Sequence, residues 1–142
     1  MCYFLTCSSE SAPKPNPITA AFKTRTLSAH RNIAQAFDSI PESRFLYGPT
    51  PAQLTFGYIA QHLVKDSFTF CENAFAQLDD AKLAESTTMT FGGNTRTVTR
   101  AQMALGHALD IADHYSQLAN YMRLINMLPP TALPRPAGRG GQ

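Results

Sequence analysis

The stretch TRAQMALGHALDIADHYSQLANYMRLI, Thr99–Ile125, decides the fold. Thr99 is followed three residues later by Gln102, the capping-box spacing in which each side chain takes the other residue's backbone N–H. Met103, His107, Asp110, His114, Leu118, Tyr121 and Ile125 then recur at helical intervals until Pro129 and Pro130 end the run. This predicts one long amphipathic helix and, with it, a mainly helical protein. At 100° per residue His107, Asp110 and His114 lie within about 60° of one another around the axis. They share their face with the apolar residues, so the expectation is that all three point inward.

Just before this helix the period changes. Thr88–Phe91 and Thr95–Val98 are rich in β-branched residues and roughly alternating about Gly92, Gly93 and Asn94, which predicts a short β-hairpin leaning on the helices. Further upstream, Thr50, Pro51 and Gln53 have the spacing of a second capping box. No proline follows before about Leu78, and the reading is one helix of up to about 28 residues, roughly 42 Å long, with a break near Lys65-Asp66-Ser67 as the alternative. The first helix is expected to start at Asn16-Pro17, asparagine capping and proline at the first position, and to stop at Pro41. Its apolar stripe reads Ile18, Phe22, Ile33, Phe37 and Ile40. The domain therefore runs from 17 to 130. Residues 1–16 are a proline-rich lead-in expected to be disordered, and 131–142 form a disordered Pro/Gly/Arg tail.

Composition narrows the class. Hydrophobic residues are 44% of 142 and charged residues 15%, with a formal charge of +2, so the chain is globular and shows no basic stripe for nucleic acid. Arg135 and Arg139 in the tail are too few to make one. Cys2, Cys7 and Cys71 are too few and too widely spaced for a disulfide framework or a paired metal site, and read as free thiols in a reducing compartment. The N-terminus lacks the basic segment and apolar length of an export signal, and no run is long enough to span a membrane. A cytoplasmic location is expected, or export if the short N-terminus is the remnant of a signal.

Asp110 and His114 are one helical turn apart, which suits two ligands of one ion. A third must come from another helix, and His62, on the largely apolar stretch after Ile59, is the candidate. His62, Asp110 and His114 would make a two-histidine, one-carboxylate set suited to a divalent ion and able to leave positions open. Each also has a plainer reading. A histidine on a helix face is most often a hydrogen-bonded core residue, and Asp110 reads equally as a solvated neighbour of Asp113. His107 is an alternate ligand, a donor to Asp110, or packed. His30 has no ligand-type neighbour at helical spacing and reads as a surface residue.

The segment His114–Pro130, HYSQLANYMRLINMLPP, closely resembles the last helix of the DinB-like family, and Phe56–His62, FGYIAQH, resembles its second-helix motif. The resemblance covers roughly Asn16 to Pro130. It implies an up-down-down-up four-helix bundle whose metal is bound by one ligand after the Phe-Gly motif and two, four residues apart, on the fourth helix. Here those positions are His62, Asp110 and His114. The chain departs from the pattern in three ways. Asp110 stands where the family usually has histidine. Ser116 and Asn126 replace glycines, although asparagine tolerates the left-handed conformation that ends helices. Only seven residues separate His62 from Phe70, where the family fits the end of one helix, a connection and the start of the next. That shortening agrees with one unbroken helix from Pro51, which would reduce the bundle to three long helices and leave an apolar face for a second chain.

Two functions follow as expectations. One is a metal-dependent hydrolase or thiol-dependent transferase acting on a small molecule, with Zn, Fe, Ni or Mn and, by the resemblance, a low-molecular-weight thiol. Tyr115, Gln117, Tyr121 and Arg123 would then be available to orient substrate. The other is a non-catalytic helical module or relic, homodimeric through the exposed face.

Overall fold

The computed structural model of the protein describes residues 16–65 and 68–134. The lead-in up to residue 15 with Cys2 and Cys7, the candidate break at Asp66 and Ser67, and the tail from Arg135 lie outside the described residues. The described chain is mainly helical. It comprises α1 (Pro17–Ser39), α2 (Phe56–Lys65), α3 (Phe68–Ala76), a hairpin of β1 (Ser86–Phe91) and β2 (Asn94–Thr99), and α4 (Arg100–Leu124). None of the described helices is long and apolar enough to cross a membrane.

Helix α4 is bounded as its sequence dictates. Thr99 Oγ1 accepts from Gln102 N at 3.1 Å while Gln102 Oε1 accepts from Thr99 N at 2.8 Å, completing the capping box. At the other end Asn126 takes φ +62°. The backbone N–H of Asn126 bonds Arg123 O at 3.0 Å and that of Met127 bonds Met122 O at 2.8 Å, the pair of reverse bonds of a Schellman stop. Only glycine and, at a cost, asparagine occupy this left-handed position readily. Asn126→Val should therefore lose about 1–2 kcal/mol in urea denaturation, whereas Asn126→Gly should be neutral or slightly stabilising.

Helix α1 spans the range its punctuation predicts, but its buried face differs from the expected stripe. Ile33 and Ile40 are in the core, Phe22 and Phe37 are half-buried, and Ile18 is 54% exposed. Thr19, Thr26, Ala29, His30 and Ala36 complete the buried side. The N-terminal end of the helix is capped from far along the chain. Asn16 makes no side-chain cap bond to its own helix. Instead Asp80, in the 3-10 turn Asp80–Lys82, accepts from Ile18 N at 3.1 Å and Thr19 N at 2.7 Å, while Asp80 N donates to Asn16 Oδ1 at 2.9 Å. Burial alone would push the Asp80 carboxyl up; the hydrogen bonds from Thr19 and then Ile18 more than reverse it and hold the group below its ordinary value.

The long helix expected from Pro51 is not what forms. Residues 51–55 belong to a turn and a short extended stretch, and the helical residues divide into α2 and α3. The capping-box spacing at Thr50 and Gln53 closes a turn, with Gln53 N on Thr50 O at 3.0 Å. The working cap is Thr55, whose Oγ1 accepts from Tyr58 N at 3.2 Å. Docking overrides the local signal, because Phe56 N bonds Tyr47 O at 3.1 Å and Gly57 N bonds Phe45 O at 2.8 Å. A Cβ on Gly57 would sit 3.1 Å from that same carbonyl, so the close approach needs glycine. Among the described residues the two long helices are α1 and α4.

These two pack along each other, and α2 closes the core they form. Ile33, Ala36 and Ile40 from α1, Phe56, Ile59 and Leu63 from α2, and Ile111, Leu118 and Met122 from α4 make one buried cluster. The hairpin forms as expected, slightly longer than read, pairing Ser86 with Thr99 through Phe91 with Asn94. Gly92 and Gly93 supply φ +56° and +79°, the two positive values that a two-residue primed turn demands. The chain after Pro130 is ordered further than expected: Pro130–Ala132 is a 3-10 turn, and Thr131 is tied to the Tyr115 hydroxyl.

Candidate metal centre

His62 lies in α2, and Asp110 and His114 lie in α4, 48 and 52 positions further along the chain. One ligand atom from each lies within 4.8 Å of the others. The rings of His62 and His114 meet edge to face with centroids 4.9 Å apart. His114 Nε2 is 3.7 Å from Asp110 Oδ1. Ligand atoms sharing one tetrahedral ion stand about 3–3.5 Å apart, so the cluster needs a small inward movement of side chains to close on a cation.

Burial grades the three. His114 is buried, His62 is half-buried and the Asp110 side chain is 50% exposed. Asp110 thus stands at the rim and not on the inward face that its spacing suggested. The helix turns Ile111 to the core instead, and a carboxylate at position 110 keeps part of its hydration. His114 Nδ1 is buried with no hydrogen-bond partner among the described residues. Leaving a buried donor or acceptor unmet costs about 1–3 kcal/mol; here that cost falls on Nδ1, whereas the ring nitrogen beside Asp110 is Nε2. Two imidazoles and a carboxylate, with the acid open to water, fit a divalent cation in donor type and in access.

The other histidines belong elsewhere. His30 is 3% exposed, not at the surface as expected. It follows Thr26 by four residues and precedes Ile33 by three, on the buried face of α1. Its Nδ1 lies 3.4 Å from Glu72 Oε1 and its ring meets that of His107 edge-on at 5.6 Å. His107 turns toward α3, where Cys71 Sγ is 3.8 Å from its Nδ1 and Phe75 stacks at 5.9 Å. Burial lowers the His30 pKa from its ordinary 6.5, with Glu72 pulling the other way. The unfolded chain then takes up the proton more readily, so stability is full above pH 6.5 and declines as pH falls from there toward the lower folded-state value. Thermal midpoints recorded through that range should fall, and His30→Gln should flatten the curve.

The residues expected to orient substrate have structural partners. Tyr115 OH donates to Thr131 Oγ1 at 2.8 Å, and Arg123 Nη1 donates to Ala119 O at 3.1 Å. Gln117 Nε2 donates to Asp113 Oδ2 at 3.3 Å. Tyr121 packs in the core, where burial, and secondarily Tyr47, raises its pKa. No family model, curated protein or solved structure matches the chain. The site is therefore read from its own residues.

Proposed function

We propose that the protein is a DinB-like metal-dependent enzyme, a hydrolase or a thiol-dependent transferase acting on a small molecule. The convergence of His62, Asp110 and His114 from two helices carries this reading. In it, α1 and α4 with the shorter α2 and α3 make the up-down-down-up bundle, compressed between its second and third helices. His62 and His114 would hold the ion from the protected side and Asp110 from the solvent side. A divalent ion bound there supplies Lewis-acid chemistry. The half-exposed Asp110 carboxylate leaves that side accessible to a substrate or a low-molecular-weight thiol.

The test is elemental analysis of protein purified without a histidine tag, as isolated and after addition of Zn, Mn, Ni or Fe(II). Near-stoichiometric metal supports the reading and justifies assays of hydrolysis and thiol transfer. No metal in a folded sample under any of these conditions rejects it.

A second reading, a non-catalytic homodimeric module, draws on Leu105 and Leu109, which are exposed one turn apart on α4. Light scattering distinguishes the two: a stable dimer without bound metal favours the module.

A further inference from the structure

Apart from the histidine and aspartate cluster, the molecule has a cavity of about 280 Å³ bounded by α3, the start of β1 and the first turns of α4. Phe75, Leu78, Met103 and Ala104 give it apolar walls, and Cys71 and His107 are on its lining. Cys71 Sγ and His107 Nδ1, 3.8 Å apart, are at the distance of a hydrogen bond to sulfur. His30 meets the His107 ring edge-on and is itself held beside Glu72. The space is partly open to solvent and just below the roughly 300–1,000 Å³ range of ligand pockets. A half-buried thiol beside an imidazole is a pairing that activates sulfur as a nucleophile. The mostly apolar space next to it suits a carbon chain, with Thr87 and Arg100 as the remaining polar lining.

We infer that Cys71 and His107 form a nucleophilic thiol site that accepts a short acyl group from a thioester, the chain lying against Phe75, Leu78 and Met103. His107 Nδ1 takes the Cys71 proton as Sγ attacks the thioester carbonyl carbon. The new sulfur–carbon bond forms, the bond from that carbon to the leaving sulfur breaks, and the leaving thiolate takes the proton back from His107. The products are S-acyl-Cys71 and a free thiol, with no oxidant or reductant required. This site does not depend on the metal proposal.

The test uses the whole chain and the butyryl thioester of N-acetylcysteamine, with peptide mapping by mass spectrometry. Butyrylation should appear on Cys71 in preference to Cys2 and Cys7. It should slow on the order of 10²-fold in His107→Ala, the usual scale of general-base help. Ala74 lines the cavity but is exposed, so Ala74→Leu narrows the space at little risk to folding. That variant should slow transfer from the butyryl thioester more than from the acetyl one. Cys71 reacting no faster than Cys2 and Cys7 in the folded protein overturns the inference. If circular dichroism shows His107→Ala to be misfolded, the Ala74→Leu comparison decides: unequal slowing sustains the site, and equal slowing of both donors, or none, overturns it.

Discussion

Zinc affinity falls by more than about 100-fold in His114→Ala and by a smaller factor in Asp110→Asn, as read by competition with a chromogenic chelator. The order follows from burial. Outer partners of a metal ligand already contribute about 10–100-fold, and in the proposed site His114 would be a direct ligand, its ring held against that of His62. Asp110 is half in water, so a neutral amide or a solvent oxygen replaces it at less cost. The same variants should separate in a melting experiment. A ligand at 100 times its dissociation constant stabilises the native state by about 2.7 kcal/mol, so added zinc should raise the midpoint of the wild type and leave that of His114→Ala where it was. If both variants bind zinc as the wild type does, the three residues are not a metal site.

Phe56→Ala loses about 3–5 kcal/mol of stability in urea, enough to unfold a large part of the population of a marginally stable domain. Phe56 is fully buried and makes ring contacts with Tyr121, at 5.7 Å and 74°, and Tyr47, at 5.9 Å. The position joins three segments, since its backbone N–H is also bonded to Tyr47 O. Truncation leaves a cavity between the loop after α1, the start of α2 and the end of α4, and none of these can collapse into it freely. A loss below about 1 kcal/mol, the size of an ordinary surface change, would show that the cluster is not the centre of the fold.

Much of this was legible in the sequence where local rules act alone. The capping box of Thr99 with Gln102 and the Gly92-Gly93 turn follow from their own neighbours in the sequence, and both form; the tolerance of Asn126 for the left-handed position came through the resemblance, and it takes that conformation. The mainly helical class and the nearness of His62 to Asp110 and His114 were also within reach, because helical spacing fixed two members of the cluster. What escaped depends on contacts between distant segments. Thr50, Pro51 and Gln53 have the form of a helix start, yet the carbonyls of Phe45 and Tyr47 claim the backbone of Phe56 and Gly57 and begin the helix later. Ile18 heads the apolar stripe in the sequence, yet its side chain is exposed while its backbone N–H is capped by Asp80, 62 positions later. His30 has no ligand-type neighbour at helical spacing in the sequence, and its partners Glu72 and His107 reach it only through space. The pairing of Cys71 with His107 had no local signal at all.

The cap that Asp80 gives to the first helix also sets an order in time. Ile18 and Thr19 are bound by a residue 61–62 positions later, and Asn16 by one 64 positions later. On the ribosome, where chains emerge from the N-terminus at about 5–20 residues per second, the opening turn of α1 exists for several seconds before its partner has been made. Its backbone donors stay with water throughout that interval. The first turn of α1 thus cannot be completed until the middle of the chain has been made.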